Sequence, residues 1–300
     1  MTLQQLKYVL AVAETKNISE AARSLHLSQP SLSAAVRELE TELGFAVFLR
    51  TNRGITVTGD GSRFLGYARQ VVEQERLLAE KYLNGKPRRQ HFAVSSQHYS
   101  FAVNAFVDVI KEFGNAEYEF TLRETRTYEI IEDVHSGRSE LGILYINDFN
   151  EPVLSKLIRD CGLTFTALFT AQPHVFISKT NPLAPKTALT MEDLAPYPFL
   201  SFEQGEHNSF HFSEEILSTH HYDKMIKVSD RATLFNLLIG LDGYTLCTGI
   251  ISEQLNGPNI IARPLLGGEP MHVGTITLKD RTASRVCASY LKALQKHIQV

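Results

Sequence analysis

The side chains with the clearest chemical potential lie between positions 28 and 53, where amide, hydroxyl and guanidinium groups occur close together. Gln29 can present its amide to an adenine edge, and Arg37 can present a planar fork to guanine or to a phosphate. Ser31 can bond to either backbone or base. Arg50 and Arg53 flank the tip of "RTNRG", where two guanidinium groups are best stabilised by an anion. These residue types in this order indicate contact with a nucleic acid.

Three helices and a hairpin are the elements that would position these groups. Apolar residues at helical spacing predict a first helix from Leu3, and a second helix rich in small residues follows Ser19. Ser28 can cap a third helix through its side-chain oxygen, and Pro30 suits a first turn that needs no amide proton. The buried stripe of this third helix is Leu32, Val36, Leu39 and Leu43. The outward or flanking positions are Gln29, Ser31, Ser33, Ala34 and Arg37.

A short hairpin follows the third helix. Gly44 is predicted as a left-handed cap, residues 45–49 are predicted as a strand, and residues 55–58 are predicted as its partner. This places Arg50 and Arg53 at the hairpin tip, where they would contact phosphate or the minor groove. Residues 1–58 are therefore predicted to form a winged helix-turn-helix that binds DNA. The alternative is a small all-helical protein-interaction domain with a charged surface loop.

The distribution of charge agrees with the DNA-binding interpretation. Residues 1–89 contain 13 Lys and Arg residues against 9 Asp and Glu residues, a balance of +4. The remaining residues contain 17 against 24, a balance of −7, so only the amino-terminal part suits a polyanion. The net charge of −3 would by itself argue against nucleic-acid binding, so the prediction depends on segregation and motif.

Residues 59–84 are predicted to form one long helix. Its apolar residues recur at alternating spacings of three and four, in a heptad-like seam that Glu75 interrupts, and they are Phe64, Ala68, Val71, Leu78 and Tyr82. A second stripe, Leu65, Val72 and Ala79, lies beside it. Such a broad face favours dimerisation, although an amphipathic helix packed on its own domain would give the same pattern. "NGKPRR" then ends the helix, and residues 85–90 are predicted to be a hinge.

Residues 91–300 have a different organisation, in which short apolar strands alternate with helical segments. This alternation predicts α/β architecture with parallel-type sheets. Ligands of such sheets bind where polar loops follow strands. The candidate ligand-binding residues in these loops are Ser95, Ser96, Gln97, Ser201, Phe202, Glu203 and Thr248. Ser and Thr after strands also cap helices, so each position alone is weak evidence.

The motif "AARSLHLSQPSLSAAVRELETELGFAVFLRTNRGITVT" and the long helix after it resemble the DNA-binding head of LysR-type transcriptional regulators. By that resemblance Gln29, Pro30, Ser33 and Arg37 lie near DNA on the recognition helix, and Arg50 and Arg53 lie on the wing. Ala34 and Ala35 stand where relatives often carry polar or basic residues. The resemblance also implies a tetramer made of two dimers, whereas the long helix alone indicates a dimer.

The segments "KTNPLA" and "MEDLAPYPFLSF" resemble the entry to the second lobe in that family. The resemblance implies two lobes like those of type II periplasmic binding proteins, lobe I at about 91–163 and 268–300 and lobe II at about 164–267. Loops at 95–99, at 145–147 with Tyr145, at 201–204 and at 247–249 would face the cleft between them. Hydroxyl groups together with Glu203 would suit an effector that carries a carboxylate and an ammonium, such as an amino acid or a sulfur-containing relative. Glu203 as a solvated loop carboxylate is the alternative.

Other chemistries are less well supported. Cys161, Cys247 and Cys287 lack CxxC spacing, which disfavours a disulfide framework or a zinc site and is typical of a reducing cytoplasm. His207 and His211 stand four apart near Glu214 and Glu215, a spacing that could hold a metal, but solvated or hydrogen-bonded histidines are the favoured interpretation. No metal or cofactor is expected. G-x-S-x-G, H-E-x-x-H and P-loop motifs do not occur, and neither a signal core nor a membrane span is predicted.

The favoured function is a sequence-specific, effector-controlled transcriptional regulator in the cytoplasm. Its predicted partners are double-stranded DNA with an interrupted palindrome, a small-molecule effector, further copies of the chain and RNA polymerase. A solute-binding module and an enzyme that uses the inter-lobe cleft are the alternatives. An enzyme would require a nucleophile or an acid–base pair, and the sequence supplies no recognisable one.

Overall fold

The structure is a computed structural model that describes residues 1–51, 54–82, 90–115 and 117–298. It divides into two compact units, Met1–Arg88 with Ser136–Arg138, and Arg89–His135 with Ser139–Val300. In the described ranges no helix is both long and apolar enough to cross a bilayer.

The first unit contains the head and the long helix. Its elements are α1 (Leu3–Thr15), α2 (Ile18–Ser24), α3 (Gln29–Leu43), β1 (Phe48–Thr51), β2 (Gly54–Val57) and α4 (Gly59–Tyr82). Side-chain caps begin all three head helices: Thr2 forms a capping box on α1, Asn17 accepts from two amides of α2, and Ser28 caps α3. The buried core under them includes Val9, Val12, Ala21, Ala22, Leu32, Val36, Leu39, Val47 and Leu65.

The winged helix-turn-helix predicted from the sequence is present. Strands β1 and β2 pair antiparallel with Arg50 opposite Ile55. Asn17 caps the start of α2, because its carboxamide oxygen accepts from the amides of Ser19 and Glu20. The tip residue Arg53 lies outside the described residues, as does the predicted hinge except for Gln90, which begins the next strand.

The second unit is built around two mixed sheets. The first has the strand order β4-β3-β5-β12-β6. Its strands are β3 (Gln90–Ser96), β4 (Tyr118–Glu124), β5 (Leu141–Ile146), β6 (Leu163–Ala171) and β12 (Met271–Leu278). Its helices are α5 (Ser100–Phe113), α6 (Thr127–His135), α7 (Glu151–Asp160) and α11 (Arg285–His297). This sheet and these helices are called lobe I.

The second sheet has the order β11-β7-β10-β8-β9. Its strands are β7 (His174–Ser178), β8 (Phe199–Phe202), β9 (Met225–Val228), β10 (Tyr244–Cys247) and β11 (Ile260–Pro264). Its helices are α8 (Met191–Leu194), α9 (Arg231–Leu241), α10 (Glu253–Asn256) and a 3-10 turn at Phe210–Phe212. This group is called lobe II.

Both sheets are mixed, with parallel strands extended by antiparallel ones. Strands β3, β4 and β5 are parallel, but β12 pairs antiparallel with both β5 and β6. Lobe II likewise joins the parallel strands β8, β9 and β10 to antiparallel β7 and β11. Because β6 hydrogen-bonds along β12, residues 164–171 belong to lobe I, and the lobe boundary predicted near 164 moves to after Ala171.

Candidate functional sites

The start of α3 is fixed by local hydrogen bonds. The Ser28 hydroxyl accepts from the Ser31 amide at 3.2 Å and lies 2.7 Å from the Ser31 hydroxyl. Pro30 occupies the first turn, where no amide proton is needed. At the other end Gly44 caps the helix with φ 76°, a left-handed conformation that glycine adopts without strain. The helix therefore begins and ends where the sequence predicts.

Four of the predicted contact residues on α3 are exposed: Gln29, Pro30, Ser31 and Arg37. The Gln29 carboxamide oxygen accepts from the Ser19 hydroxyl at 3.1 Å, which holds the amide near the end of α2. Ser33 is only 7% exposed, so of the outward and flanking positions predicted for this set it takes a flanking one. It follows Leu32 on the side of α3 that turns toward the head core.

The wing is attached to α3 by one carboxylate. Glu40 Oε1 accepts from the amides of Val47 at 2.8 Å and Phe48 at 3.0 Å. These bonds fix the point where β1 leaves the helix, and hydrogen bonds from amides to a carboxylate are stronger than neutral ones. The sequence analysis did not identify Glu40 as a residue that holds the wing. Its position one turn before the helix-ending Gly44 is the one signal in the sequence for that role.

A second candidate site is a cavity of about 40 Å³ in the second unit. Residues of both lobes line it. Its polar lining residues include His98 and Ser100 from lobe I and Glu214, Glu215, Arg231 and Thr248 from lobe II. Phe176, Phe202, Leu234 and Phe235 supply apolar walls. A space of this size holds about three water molecules, so most small metabolites would enter only if the lobes moved apart.

His98 and Glu214 form the closest cross-lobe pair in this lining. His98 Nδ1 lies 2.9 Å from Glu214 Oε2, and the His98 amide donates to the same oxygen at 3.0 Å. The imidazole also stacks on Phe202 with a centroid separation of 3.7 Å and an interplanar angle of 4°. Burial lowers the pKa of His98, but the Glu214 charge and hydrogen bond outweigh burial and raise it above its ordinary value.

Glu215 and Arg231 add charge to the same lining. Burial, reinforced by the neighbouring Glu214, raises the pKa of Glu215 to about 8, while its oxygens accept from the Phe202 amide at 2.9 Å and the Ser213 hydroxyl at 3.0 Å. Arg231 Nη2 lies 3.0 Å from Glu124 Oε1. Arg231 Nη1 is buried and has no hydrogen-bond partner within the described residues. An unsatisfied guanidinium nitrogen beside a cavity is suited to an anionic group of a ligand.

Phe202 and Thr248 are the sequence-predicted effector residues that line this cavity. Ser95 and Ser96 belong to β3 and do not follow it, and Ser201 and Phe202 likewise belong to β8, because the ladders with β4 and β9 continue through them. Ser95 donates to Asp133 at 2.6 Å. Ser95 and Ser96 are buried, and their hydroxyls bond within lobe I.

Gln97 and Tyr145 are joined to each other. The Gln97 carboxamide oxygen accepts from the Tyr99 hydroxyl at 2.7 Å and the Tyr145 amide at 3.1 Å, and its nitrogen donates to Thr127 at 2.7 Å. The Tyr145 hydroxyl donates to the Glu215 carbonyl at 3.2 Å, which connects lobe I to lobe II. Gln97 has a positioning role in this geometry, because its hydrogen-bonding groups are already used.

Glu203 lies at the junction of the lobes, paired with Arg126 of lobe I. It is therefore an ion-pair partner whose side chain is 38% exposed. Ser100, Glu214, Glu215 and Arg231 line the cavity but lie outside the loops predicted to face the cleft, whereas His98 lies within the predicted 95–99 loop but was not named as an effector residue. The available signals were an imidazole directly after a buried strand and two consecutive carboxylates within the apolar context "HFSEEIL".

His207 and His211 do not join Glu214 and Glu215 in a metal site. His207 stacks on Tyr128 at 3.5 Å, and His211 stacks on Phe149 at 4.6 Å. Across the described ranges no group of three or more metal-binding side chains is close enough to hold an ion. The two imidazoles instead form ring contacts with lobe I.

Comparisons with known proteins agree with this architecture. The profile for the bacterial regulatory helix-turn-helix protein, lysR family, matches residues 3–62, and the profile for the LysR substrate binding domain matches residues 96–299. The HTH-type transcriptional regulator AlsR of Bacillus subtilis is 31% identical over 208 residues, 67% of this chain and 64% of AlsR. The uncharacterized HTH-type transcriptional regulator YnfL of Escherichia coli is 28% identical over 206 residues, 67% of this chain and 65% of YnfL. These matches span slightly less than two thirds of each relative.

Longer similarities cover nearly the whole chain. The DNA-binding transcriptional dual regulator OxyR of Escherichia coli is 24% identical over 297 residues, 97% of this chain and 92% of OxyR. A full-length variant of OxyR from Pseudomonas aeruginosa superposes with a TM-score of 0.68 at 17% identity, covering 99% of this chain and 96% of that one. Full-length CbnR complexed with its target DNA gives a TM-score of 0.60 at 17% identity, covering 99% and 100%. The structural matches show the shared fold.

The first unit is thus a winged helix-turn-helix, and the second holds two α/β lobes that together line a cavity with charged groups and apolar walls. The chain belongs to the LysR family of DNA-binding transcriptional regulators, which carry an effector-binding domain. The family and the fold class predicted from the sequence are thus confirmed, and the relatives compared are regulators.

Proposed function

We propose that this protein binds an interrupted palindrome as an oligomer and changes its effect on transcription when a small molecule enters the cleft between lobes I and II. Two observations together carry the proposal. Gln29 and Arg37 expose an amide and a guanidinium on α3, and the second unit contains a cavity with charged lining residues from both lobes. Its setting would be the cytoplasm, where DNA and RNA polymerase are present.

Sequence-specific contact is proposed for Gln29, Ser31 and Arg37 on the exposed side of α3. Within the described residues Arg37 has no carboxylate partner, so its guanidinium is available to a base or a phosphate. Arg50 and Arg53 are proposed to contact the backbone from the wing. Two heads of a dimer would occupy half-sites about 34 Å apart, one turn of the duplex, which accounts for the expected palindrome.

Self-association is proposed to use α4. Leu65 and Ala68 are each 2% exposed, and Leu65 packs in the head core, whereas Val71 and Leu78 are 49% and 60% exposed. The helix therefore has one apolar face that is covered and another that remains at the surface. Exposed apolar residues at heptad-like spacing favour a partner helix, and a dimer is the minimum assembly that supplies it. A tetramer of two dimers is the larger assembly implied by the family.

The proposed effector is a small molecule with both a carboxylate and an ammonium, such as an amino acid or a sulfur-containing relative. Arg231 would bind the carboxylate through Nη1, and the hydroxyl of Thr248 lies in the same lining. Glu214 takes the role first expected of Glu203, which is paired with Arg126, because Glu215 with a pKa of about 8 is mostly protonated at neutral pH. Because the cavity is small, entry of such a molecule would be linked to the separation of the lobes.

Calorimetric titration of the full-length protein with each common amino acid and its simple sulfur-containing derivatives tests the effector assignment. We expect saturable binding of at least one compound, and we expect Arg231→Gln to weaken it by at least about tenfold, the effect of losing one charge-assisted contact. Lys227→Gln removes a positive charge from an exposed position on β9 of the same lobe and should leave binding unchanged. Equal affinity of the Arg231→Gln variant, or no binding of any compound, would contradict the assignment.

A further inference from the structure

The contacts between lobes I and II concentrate on the connection between β8 and β9, residues 203–224. Glu203 pairs with Arg126, and the Thr127 amide donates to the Gln204 carboxamide oxygen at 3.1 Å. Both partners from lobe I lie at the start of α6. The connection therefore lies against lobe I, although its two ends belong to the sheet of lobe II.

Three imidazole rings take part in stacks across the same junction. In each pair one ring comes from lobe I and the other from lobe II, with centroid separations of 3.7 Å for His98–Phe202, 3.5 Å for Tyr128–His207 and 4.6 Å for Phe149–His211. All three are close to parallel, with interplanar angles of 4°, 16° and 19°. A protonated imidazole over an aromatic face gains cation–π attraction that a neutral one lacks.

His98 is the imidazole that also forms an ion pair across the junction. Its ring nitrogen and its backbone amide both meet Glu214 Oε2, at 2.9 and 3.0 Å. Each side chain is 5% exposed, so water screens this pair much less than a surface salt bridge. The side-chain nitrogen Nε2 of Gln204 donates to the other carboxylate oxygen of Glu214, Oε1, at 3.4 Å. This bond orients the carboxylate.

The charged groups around His98 come from three further elements. Glu124 ends β4, Asp230 and Arg231 begin α9, and Glu215 follows Glu214. Burial opposes the charge on His98, yet Glu214, Glu124 and Glu215 together keep its pKa above 6.5. The Glu215 carboxyl bonds within lobe II, to Phe202 and Ser213, so its own titration breaks no cross-lobe bond.

We propose that proton binding at His98 latches lobe I to lobe II through Glu214 and Phe202, so that the effector cleft opens more readily as the pH rises. This inference deepens the proposed function and rests on it in one respect, the entry of the effector through that cleft. The protonated ring has both an anionic partner and an aromatic face. The neutral ring keeps one hydrogen bond and loses the charge in both contacts.

The direction follows from linkage. In the separated lobes His98 would titrate near its ordinary pKa of 6.5, and in the latched lobes its pKa is higher. The latched state therefore holds the proton more tightly, and this contribution is fully present below about pH 6.5 and is lost as the pH rises through the higher pKa. Each unit of difference between the two pKa values changes the latching equilibrium by up to about tenfold.

Hydrogen–deuterium exchange on the full-length protein, at about pH 6 and about pH 8.5 and corrected for intrinsic exchange, measures the latch directly. We expect the His98 amide and the 203–217 segment to lose protection at the higher pH, by up to about tenfold for each unit of pKa difference. Peptides of the β7–β10 ladder should not change. His98→Gln keeps a hydrogen-bonding side chain but does not titrate, so it should lose the part of the pH response that His98 contributes and keep only the part that comes from Glu215.

His221→Gln is the matched control, because His221 is 91% exposed and pairs with Asp223 of the same lobe. It should keep the wild-type pH response. If His98→Gln does not fold, Glu214→Gln provides the second variant, since it keeps the imidazole and removes its anionic partner, and it should also lose the response. An unchanged response in these variants, or wild-type protection that does not fall with pH, would overturn the latch. The assay uses neither DNA nor effector, so its failure is separate from failure of the proposed function.

Discussion

Replacement of Glu40 by alanine tests how the wing is held. The change removes both hydrogen bonds from Glu40 Oε1, to the amides of Val47 at 2.8 Å and Phe48 at 3.0 Å. A hydrogen bond to a charged acceptor contributes about 1.5–3 kcal/mol, and two that share one half-buried oxygen should together contribute about 2–4 kcal/mol. We expect the head to lose about that much stability and the wing to lose its fixed starting point.

Denaturant unfolding and fluorescence anisotropy with a cognate duplex measure these two effects on the full-length protein. Glu38→Ala is the matched control, because it removes the same charge from the same helix but only one weak bond, from Gln5 at 3.3 Å. Glu40→Ala should lower stability and weaken DNA binding, whereas Glu38→Ala should do neither to a comparable degree. If both variants behave alike, the wing does not depend on the Glu40 bonds.

Arg37→Ala should weaken binding to cognate DNA by about 1–3 kcal/mol with little change in melting temperature, and anisotropy that shows an equal loss on scrambled DNA would contradict base readout. Glu215 has a pKa raised from 4.5 to about 8, so its contribution to stability is fully present below about pH 4.5 and is lost as the pH rises through about 8. Glu215→Gln should remove that part of the pH dependence and be more stable than wild type at pH 8, and denaturant titrations across this range would refute the reasoning if the two curves ran parallel. Burial raises the thiol pKa of Cys161, of Cys247 and, to about 12, of Cys287. Hydrogen peroxide should therefore leave the three thiols unmodified in peptide mass spectra, because thiols with raised pKa values react slowly, and rapid oxidation of these cysteines would contradict these environments.

The head could be predicted from sequence because its signals are local. Ser28 and Gly44 mark the ends of α3 through their own hydrogen-bonding and backbone preferences, and the apolar spacing from Leu32 defines the buried face. The low exposure of Ser33, by contrast, could not be predicted from local signals. A position at the edge of a helical stripe is buried or exposed according to how close its neighbours pack, and helical spacing does not encode that distance.

The cleft was harder to predict because its residues meet only after folding. His98 and Glu214 are 116 residues apart, and neither belongs to a motif that specifies the other. Sequence patterns located the ends of β3 and β8 but assigned Ser95 and Ser201 to loops, since a strand end has no side-chain signal as sharp as a helix cap. The polar groups that line the cavity, such as His98 and Ser100, therefore lie a few residues from the predicted Ser95 and Ser96.

Selection of genomic fragments with purified full-length protein at near-physiological salt is the most direct test of the central claim, that this chain is a sequence-specific, effector-responsive regulator. We expect enrichment of an interrupted palindrome, loss of that enrichment in Arg37→Ala, and an altered footprint when the amino acid found by calorimetry is added. Fragments recovered without a common sequence, or an identical set from Arg37→Ala, would contradict it.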